Sequence, residues 1–236
     1  MAQFHFVEDY ELHVKQLIKN HGLDEAMSLA VGGGWLEFGE KLSKFVQSLG
    51  VGSGMSVLDF GCGSGRLAHH LSKDLENLDY LGIDVVDELL DYAKTKCPKN
   101  YTFLKNHTLS IPAKKATFDF AFGFSIFTHL LQTEIKIYSD GILKALKPGG
   151  IFVYSFLELD SHYAVFENSV GAHVTHNKPY PHLNTFLDRN QVLTLAEKSG
   201  FEFVKFIEPN DGIGQTVVIL NKPKSKNWLR SLLTSE

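Results

Sequence analysis

The N-terminal part of the chain carries apolar residues at helical spacing. Val7, Leu12, Val14, Leu17 and Ile18 follow a 3.6-residue period. Gly32-Gly33-Gly34 interrupts the pattern, and a second helix is predicted over 35–49, ended by Gly50 and Gly52 as helix C-termini often are. The period then shortens. Runs rich in β-branched and aromatic residues occur at Ser56–Phe60, Tyr80–Asp84, Tyr101–Leu104, Phe118–Phe124, Ile151–Leu157, Phe201–Ile207 and Thr216–Leu220. Helical patterns lie between them near 65–75, 86–97, 132–146 and 188–199, the last with a capping-box start at Asp188-Arg189-Asn190-Gln191 and a stop at Ser199-Gly200. Strands alternating with helices predict an α/β fold with a mainly parallel sheet.

One stretch breaks the alternation. Glu158 to Thr185 holds His162, His173, His176 and His182 among Asn, Pro and Tyr residues, and it exceeds the ~2–6 residues of a routine connection. Long excursions of this kind often build walls or lids of sites. The chain divides into an N-terminal helical cap or lid over 1–50, an α/β domain over 51–222 with an insertion at 158–185, and a tail over 223–236. In the tail, Trp228, Leu229, Leu232 and Leu233 suggest a short docked helix.

Composition narrows the function. Of 236 residues, 44% are hydrophobic and 21% charged, which suits a soluble globular core and argues against disorder. The net charge is -4, and only three of the 23 basic residues are Arg: Arg66, Arg189 and Arg230. A nucleic-acid partner is therefore not expected. No apolar run reaches the ~20 residues of a membrane helix, and the N-terminus lacks the blocks of a signal peptide. Cys62 and Cys97 form no CxxC pair, so a cytoplasmic chain with reduced thiols is expected.

The candidate chemistry starts where the first strand ends, in Val57-Leu58-Asp59-Phe60-Gly61-Cys62-Gly63-Ser64-Gly65-Arg66. Glycines at 61, 63 and 65 permit a tight turn and close approach of a ligand, immediately before a helix. The second strand ends in Gly82-Ile83-Asp84, and a carboxylate there can accept both hydroxyls of a ribose. The two signals imply an adenosine-type ligand. Arg66 occupies the third-glycine position of the dinucleotide fingerprint, which disfavours a nicotinamide cofactor, and no P-loop Gly-Lys-Ser/Thr follows.

Four blocks in order now carry a family resemblance: Leu58–Gly65, Gly82-Ile83-Asp84, Phe118–Ser125 and Leu146-Lys147-Pro148-Gly149-Gly150. Over roughly residues 50–222 the chain resembles class I S-adenosylmethionine-dependent methyltransferases. The resemblance implies a seven-stranded, mostly parallel doubly wound sheet of order 3-2-1-4-5-7-6, with strand seven antiparallel. It implies S-adenosylmethionine as cofactor, with Gly61 and Gly63 passing close to its methionine moiety and Cys62 between them as a small loop residue. By the same resemblance Asp59 places the ammonium group, Asp84 takes the ribose hydroxyls and Val85 lies against the adenine. Asn106, His107 and Thr108 follow strand three, where the family contacts the adenine amino edge, and many relatives carry Asp there. Phe124 and Ser125 end strand four, near the ligand.

A sulfonium methyl is already activated, so transfer needs mainly an in-line arrangement in a water-poor site. A general base is needed only for an acceptor that keeps its proton at neutral pH. His162 and Tyr163 after strand five, and His129 in Phe127-Thr128-His129-Leu130, are the candidate bases. His173, His176 and His182 have no placed acidic partner, so no metal is expected. Asn177-Lys178-Pro179-Tyr180 lies after strand five, whereas the similar loop of DNA amino-methyltransferases follows strand four. Cys97-Pro98 reverses the Pro-Cys of cytosine C5-methyltransferases. Gly32-Gly33-Gly34-Trp35 is expected to close over the cofactor, with Trp35 or nearby aromatics forming an acceptor wall. The leading expectation is an O- or N-methyltransferase of a small-molecule acceptor, monomeric or homodimeric. Methylation of protein or RNA, and a non-catalytic cofactor-binding partner, stand as alternatives.

Overall fold

The computed structural model describes residues 7–176 and 184–224. Seven strands form one sheet of order β3-β2-β1-β4-β5-β7-β6. They are β1 (Ser56–Phe60), β2 (Asp79–Asp84), β3 (Thr102–Lys105), β4 (Phe118–Gly123), β5 (Leu146–Phe156), β6 (Glu202–Ile207) and β7 (Thr216–Asn221). β1 to β5 run parallel, and β7 is antiparallel to both β5 and β6. This is the doubly wound sheet that the four blocks imply. β5 begins at Leu146 and not at Ile151, because Leu146 pairs with Phe118 before the register shifts and Ile151 pairs with Phe120. The Lys147–Gly150 turn is thus an irregularity within the strand.

Period-two alternation sends successive side chains to opposite faces. Leu58 and Phe60 of β1 pack with Phe152 and Tyr154 of β5 beneath α6 (Gln132–Ala145) and α8 (Arg189–Ser199). Val57, Phe120, Phe122 and Val153 face the other side, beneath α3 (Trp35–Ser48), α4 (Arg66–Asp74) and α5 (Asp87–Lys96). Much of the Phe content is core: Phe122, Phe127, Phe152 and Phe156 are among the largest fully buried side chains.

One N-terminal expectation changes. The first helical pattern is two helices, α1 (Val7–Asn20) and α2 (Leu23–Ala30), because Gly22 is extended at the start of α2. Val14, Ala26 and Met27 bury a small third core against Val86, Leu89 and Tyr92, so both helices dock on the β2–α5 corner. The excursion after β5 also holds a helix, α7 (Tyr163–His176), where a loop is expected from its composition. His173 and His176 belong to α7, and His182 lies outside the described residues. Exposed Tyr163, Val170 and Val174 explain why no amphipathic stripe marks this helix. The docked helix expected at Trp228–Leu233 falls outside the described residues. Among the described residues, no helix is long and apolar enough to cross a membrane, and no group of three His, Cys, Asp or Glu side chains is arranged to hold a metal.

Candidate active site

A cavity of about 570 Å³ opens at the carboxyl ends of β1, β2 and β4. The β1–α4 turn forms its floor. Gly61 N–H donates to Ile83 O at 2.8 Å, tying the turn to β2. Gly61 and Gly63 both have positive φ (79° and 54°), which other residues adopt only with strain. A Cβ on Gly61 would come within 2.8 Å of Ile126, and one on Gly63 within 2.6 Å of Val31, so any side chain here would fill the cradle.

Two buried carboxylates flank the turn, and both line the cavity. Asp84 Oδ2 accepts from Gly63 N–H at 2.8 Å, and Oδ1 accepts from the N–H groups of Val85 (2.7 Å) and Val86 (3.1 Å). Burial raises its pKa, and those three donors pull it back. Asp59 accepts a short hydrogen bond from the Tyr80 hydroxyl. Burial pushes its carboxyl up to about 7, against the lowering effects of Tyr80 and of the positive charge on Arg66. Cys62 is buried in the same turn, and burial holds its thiol well above the ordinary range, so it is not a poised nucleophile.

The other expected residues divide by position. Val85, Asn106, Phe124, Ser125 and His129 lie on the cavity wall. Asn106 is buried and holds its own turn, donating to Ser110 O at 2.6 Å and accepting from Thr108 Oγ1 at 2.7 Å. His107 and Thr108 are exposed and are not on the wall. Ser125 has φ 57°, a left-handed conformation for a non-glycine residue at the end of β4. Its N–H donates to Ser155 Oγ at 2.8 Å, and its hydroxyl donates to Gln215 Oε1 at 3.2 Å.

Two of the three candidate bases are not brought to the cavity. His162 is buried away from it, its Nδ1 3.1 Å from Glu158 O and its Nε2 3.3 Å from Gly214 O. Tyr163 is 52% exposed on the outside of α7. His162 ends the turn before α7, and Tyr163 begins that helix. Only His129, at the end of a 3₁₀ turn (Phe127–His129), reaches the wall. Trp35 is also placed differently from expectation. Its Nε1 donates to Ser64 Oγ at 2.9 Å, and its ring packs on His69, His70 and Tyr92. It braces the glycine turn from behind and is not part of the cavity wall.

Sequence reasoning missed several wall residues. Tyr10 and His13 of α1, Val31 after α2, Arg66 of α4, Tyr138 of α6 and Gln215 before β7 all line the cavity, beside Gly32, which the lid expectation names. Tyr10 donates to Ala30 O at 2.9 Å, linking α1 to the end of α2. Arg66 alone had a signal: it is the single Arg adjoining the glycine block.

The family described as a methyltransferase domain matches residues 57–150, the stretch that builds this floor. That match, together with the sheet order, supports a class I S-adenosylmethionine-dependent methyltransferase. S-Adenosylmethionine is the cofactor of that family. Sterol 24-C-methyltransferase of Schizosaccharomyces pombe is 29% identical over 134 residues, covering 53% of this chain and 33% of that protein. Demethylmenaquinone methyltransferase of Lactococcus lactis is 30% identical over 115 residues, covering 46% and 44%. The chain thus spans less than half the length of these curated relatives. Among solved structures, magnesium protoporphyrin IX methyltransferase from Synechocystis with bound SAH superposes with a TM-score of 0.64 at 12% identity, over 92% of this chain and 97% of that one. That similarity is one of fold.

Proposed function

We propose that this chain transfers the methyl group of S-adenosylmethionine to a small-molecule O or N acceptor. The observation that carries the reading is a partly open cavity that joins the glycine cradle and its two carboxylates to a second wall of Tyr10, His13, His129 and Gln215. The cofactor fits what the floor offers. Side chains at 61 and 63 would block it, Asp84 presents a carboxylate for a ribose, and Asp59 presents one for an ammonium group. Val85 and Asn106 flank the place for the adenine, and Phe124 and Ser125 close the side toward β4. When bound, the cofactor supplies a methyl group already activated by its sulfonium.

The chain's own residues then have distinct tasks. The roof of α1 and α2 excludes water and acts as the lid of the site, while the apolar wall of Leu29, Ile126 and Leu130 keeps the local dielectric low. His129 holds the proton that a hydroxyl or ammonium acceptor must give up. Ser125 and Gln215, held to each other, orient the acceptor's polar group. Among the described residues that line the cavity, Arg66 is the one Lys or Arg, which favours a compact acceptor over RNA.

Calorimetric titration with S-adenosylmethionine and with NAD tests the cofactor assignment; tighter binding of NAD would overturn it. Incubation with methyl-labelled S-adenosylmethionine and a fractionated extract tests the acceptor. Label is expected in the low-molecular-weight fraction, and label confined to protein or RNA would sink the small-molecule reading.

A further inference from the structure

We propose that Arg66 binds the α-carboxylate of the cofactor's amino-acid end, so that Asp59 and Arg66 together recognise its zwitterion. This rests on the proposed use of S-adenosylmethionine and deepens it.

Arg66 opens α4 just past the glycine turn, and its side chain folds back onto the cavity wall. One guanidinium nitrogen, Nη1, donates to Gly33 O at 2.9 Å, and the guanidinium carbon sits 4.5 Å from the centre of the Phe38 ring. The stem lies against Gly39, where a Cβ would come within 3.0 Å of Arg66 Cγ. The side chain is thus held in place from α3, yet most of its five N–H donors remain for a ligand. No carboxylate among the described residues lies within ion-pair distance of it. Arg189 differs in this respect: Glu158 and Glu208 both pair with it. No Lys lines the cavity, so Arg66 is its one permanently charged cation among the described residues.

A half-buried cation with no ion-pair partner is costly, and a ligand carboxylate offsets that cost. Burial lowers the Arg66 pKa only to about 10, so it stays charged at neutral pH. Asp59 is in the same cavity, close enough for each charge to act on the other without the two forming an ion pair. A carboxylate and a guanidinium held apart in one pocket complement an α-amino acid. A planar fork also suits a carboxylate better than a point charge does.

The test compares binding of S-adenosylhomocysteine with that of its decarboxylated analogue, which keeps the amine. No acceptor is present, so an anionic acceptor cannot account for the result. The wild-type chain is expected to prefer the carboxylated ligand by about 10- to 100-fold, the scale of a charge-assisted pair. In Arg66→Gln that preference falls to about threefold or less, while affinity for the decarboxylated analogue stays near the wild-type value. Arg66→Lys, the variant closer in shape and charge, decides the matter if the Gln variant does not fold; its preference is expected to lie between the two. No preference in the wild type, or an unchanged preference in either variant, overturns the role of Arg66. Failure of the wild type to bind either nucleoside overturns the proposed function itself.

Discussion

The floor and the roof of the cavity are built on different principles. The floor comes from neighbouring blocks of chain, the β1–α4 turn and the end of β2. Backbone N–H groups hold its key carboxylate: Asp84 accepts from Gly63, Val85 and Val86. The roof and far wall come from side chains distant in sequence, Tyr10 and His13 against His129 and Gln215. Backbone geometry tolerates little change, whereas a wall of side chains can be altered without moving the sheet. On the proposed function, cofactor binding falls to the floor and acceptor handling to the roof.

The largest expected effect tests the roof. With a hydroxyl acceptor, His129→Ala should lower turnover by about 10²- to 10⁴-fold, the usual contribution of a general base, with cofactor affinity nearly unchanged. His162→Ala, away from the cavity, should not reproduce that loss. Steady-state kinetics alongside calorimetry would show this, and equal losses in the two variants would erase the distinction.

On the floor, Asp84→Asn should weaken S-adenosylmethionine binding by about 2 kcal/mol, because charged hydrogen bonds to the ribose are lost. An unchanged dissociation constant would remove Asp84 from the binding role. The third effect is one of pH. The Asp59 carboxyl rises from 3.8 to about 7 in the folded chain. Between those values the folded chain holds a proton that the unfolded chain has lost. Asp59 therefore disfavours folding increasingly as pH rises through this window, and by a constant amount above about 7. A bound ammonium favours the ionised carboxylate. Cofactor affinity should therefore rise roughly tenfold between about pH 6 and pH 8, with proton release on binding below about pH 7. A flat profile in Asp59→Asn and a sloping one in the wild type would place the effect on this residue.

The smallest effect concerns the brace behind the floor. Trp35→Phe keeps an aromatic ring but loses the hydrogen bond to Ser64, and should cost about 1 kcal/mol of stability in thermal unfolding, with little change in turnover at saturating cofactor. A fall in turnover larger than the loss of stability would return Trp35 to the acceptor side.

What was legible in the sequence follows the same division. The alternation of Ser56–Phe60, Tyr80–Asp84 and Phe118–Phe124 with helical patterns is local, and all three runs became adjacent strands. Gly61, Gly63 and Asp84 were legible because special backbone conformation and strand-end acids leave a signature within a few residues. The helix Tyr163–His176 was not legible, because its apolar residues do not all face the core: Val170 and Val174 are exposed. His162, Tyr163 and Trp35 looked apt by residue type and chain position, but the direction of a side chain depends on the element that carries it.

By itself the sequence determined the α/β class, the glycine cradle and the acid at the end of β2, since each depends on backbone preference and residues close in the chain. Only the tertiary structure decided which distant side chains share the cavity. It turned His129 and Gln215 inward and His162 away, and it set Trp35 behind the glycine turn. It also left Arg66 half-buried on the wall without a carboxylate ion-pair partner among the described residues. Those placements follow from how α1, α2, α4 and the loops pack on the sheet, which is settled by summed burial and steric fit across the whole molecule and by no short segment.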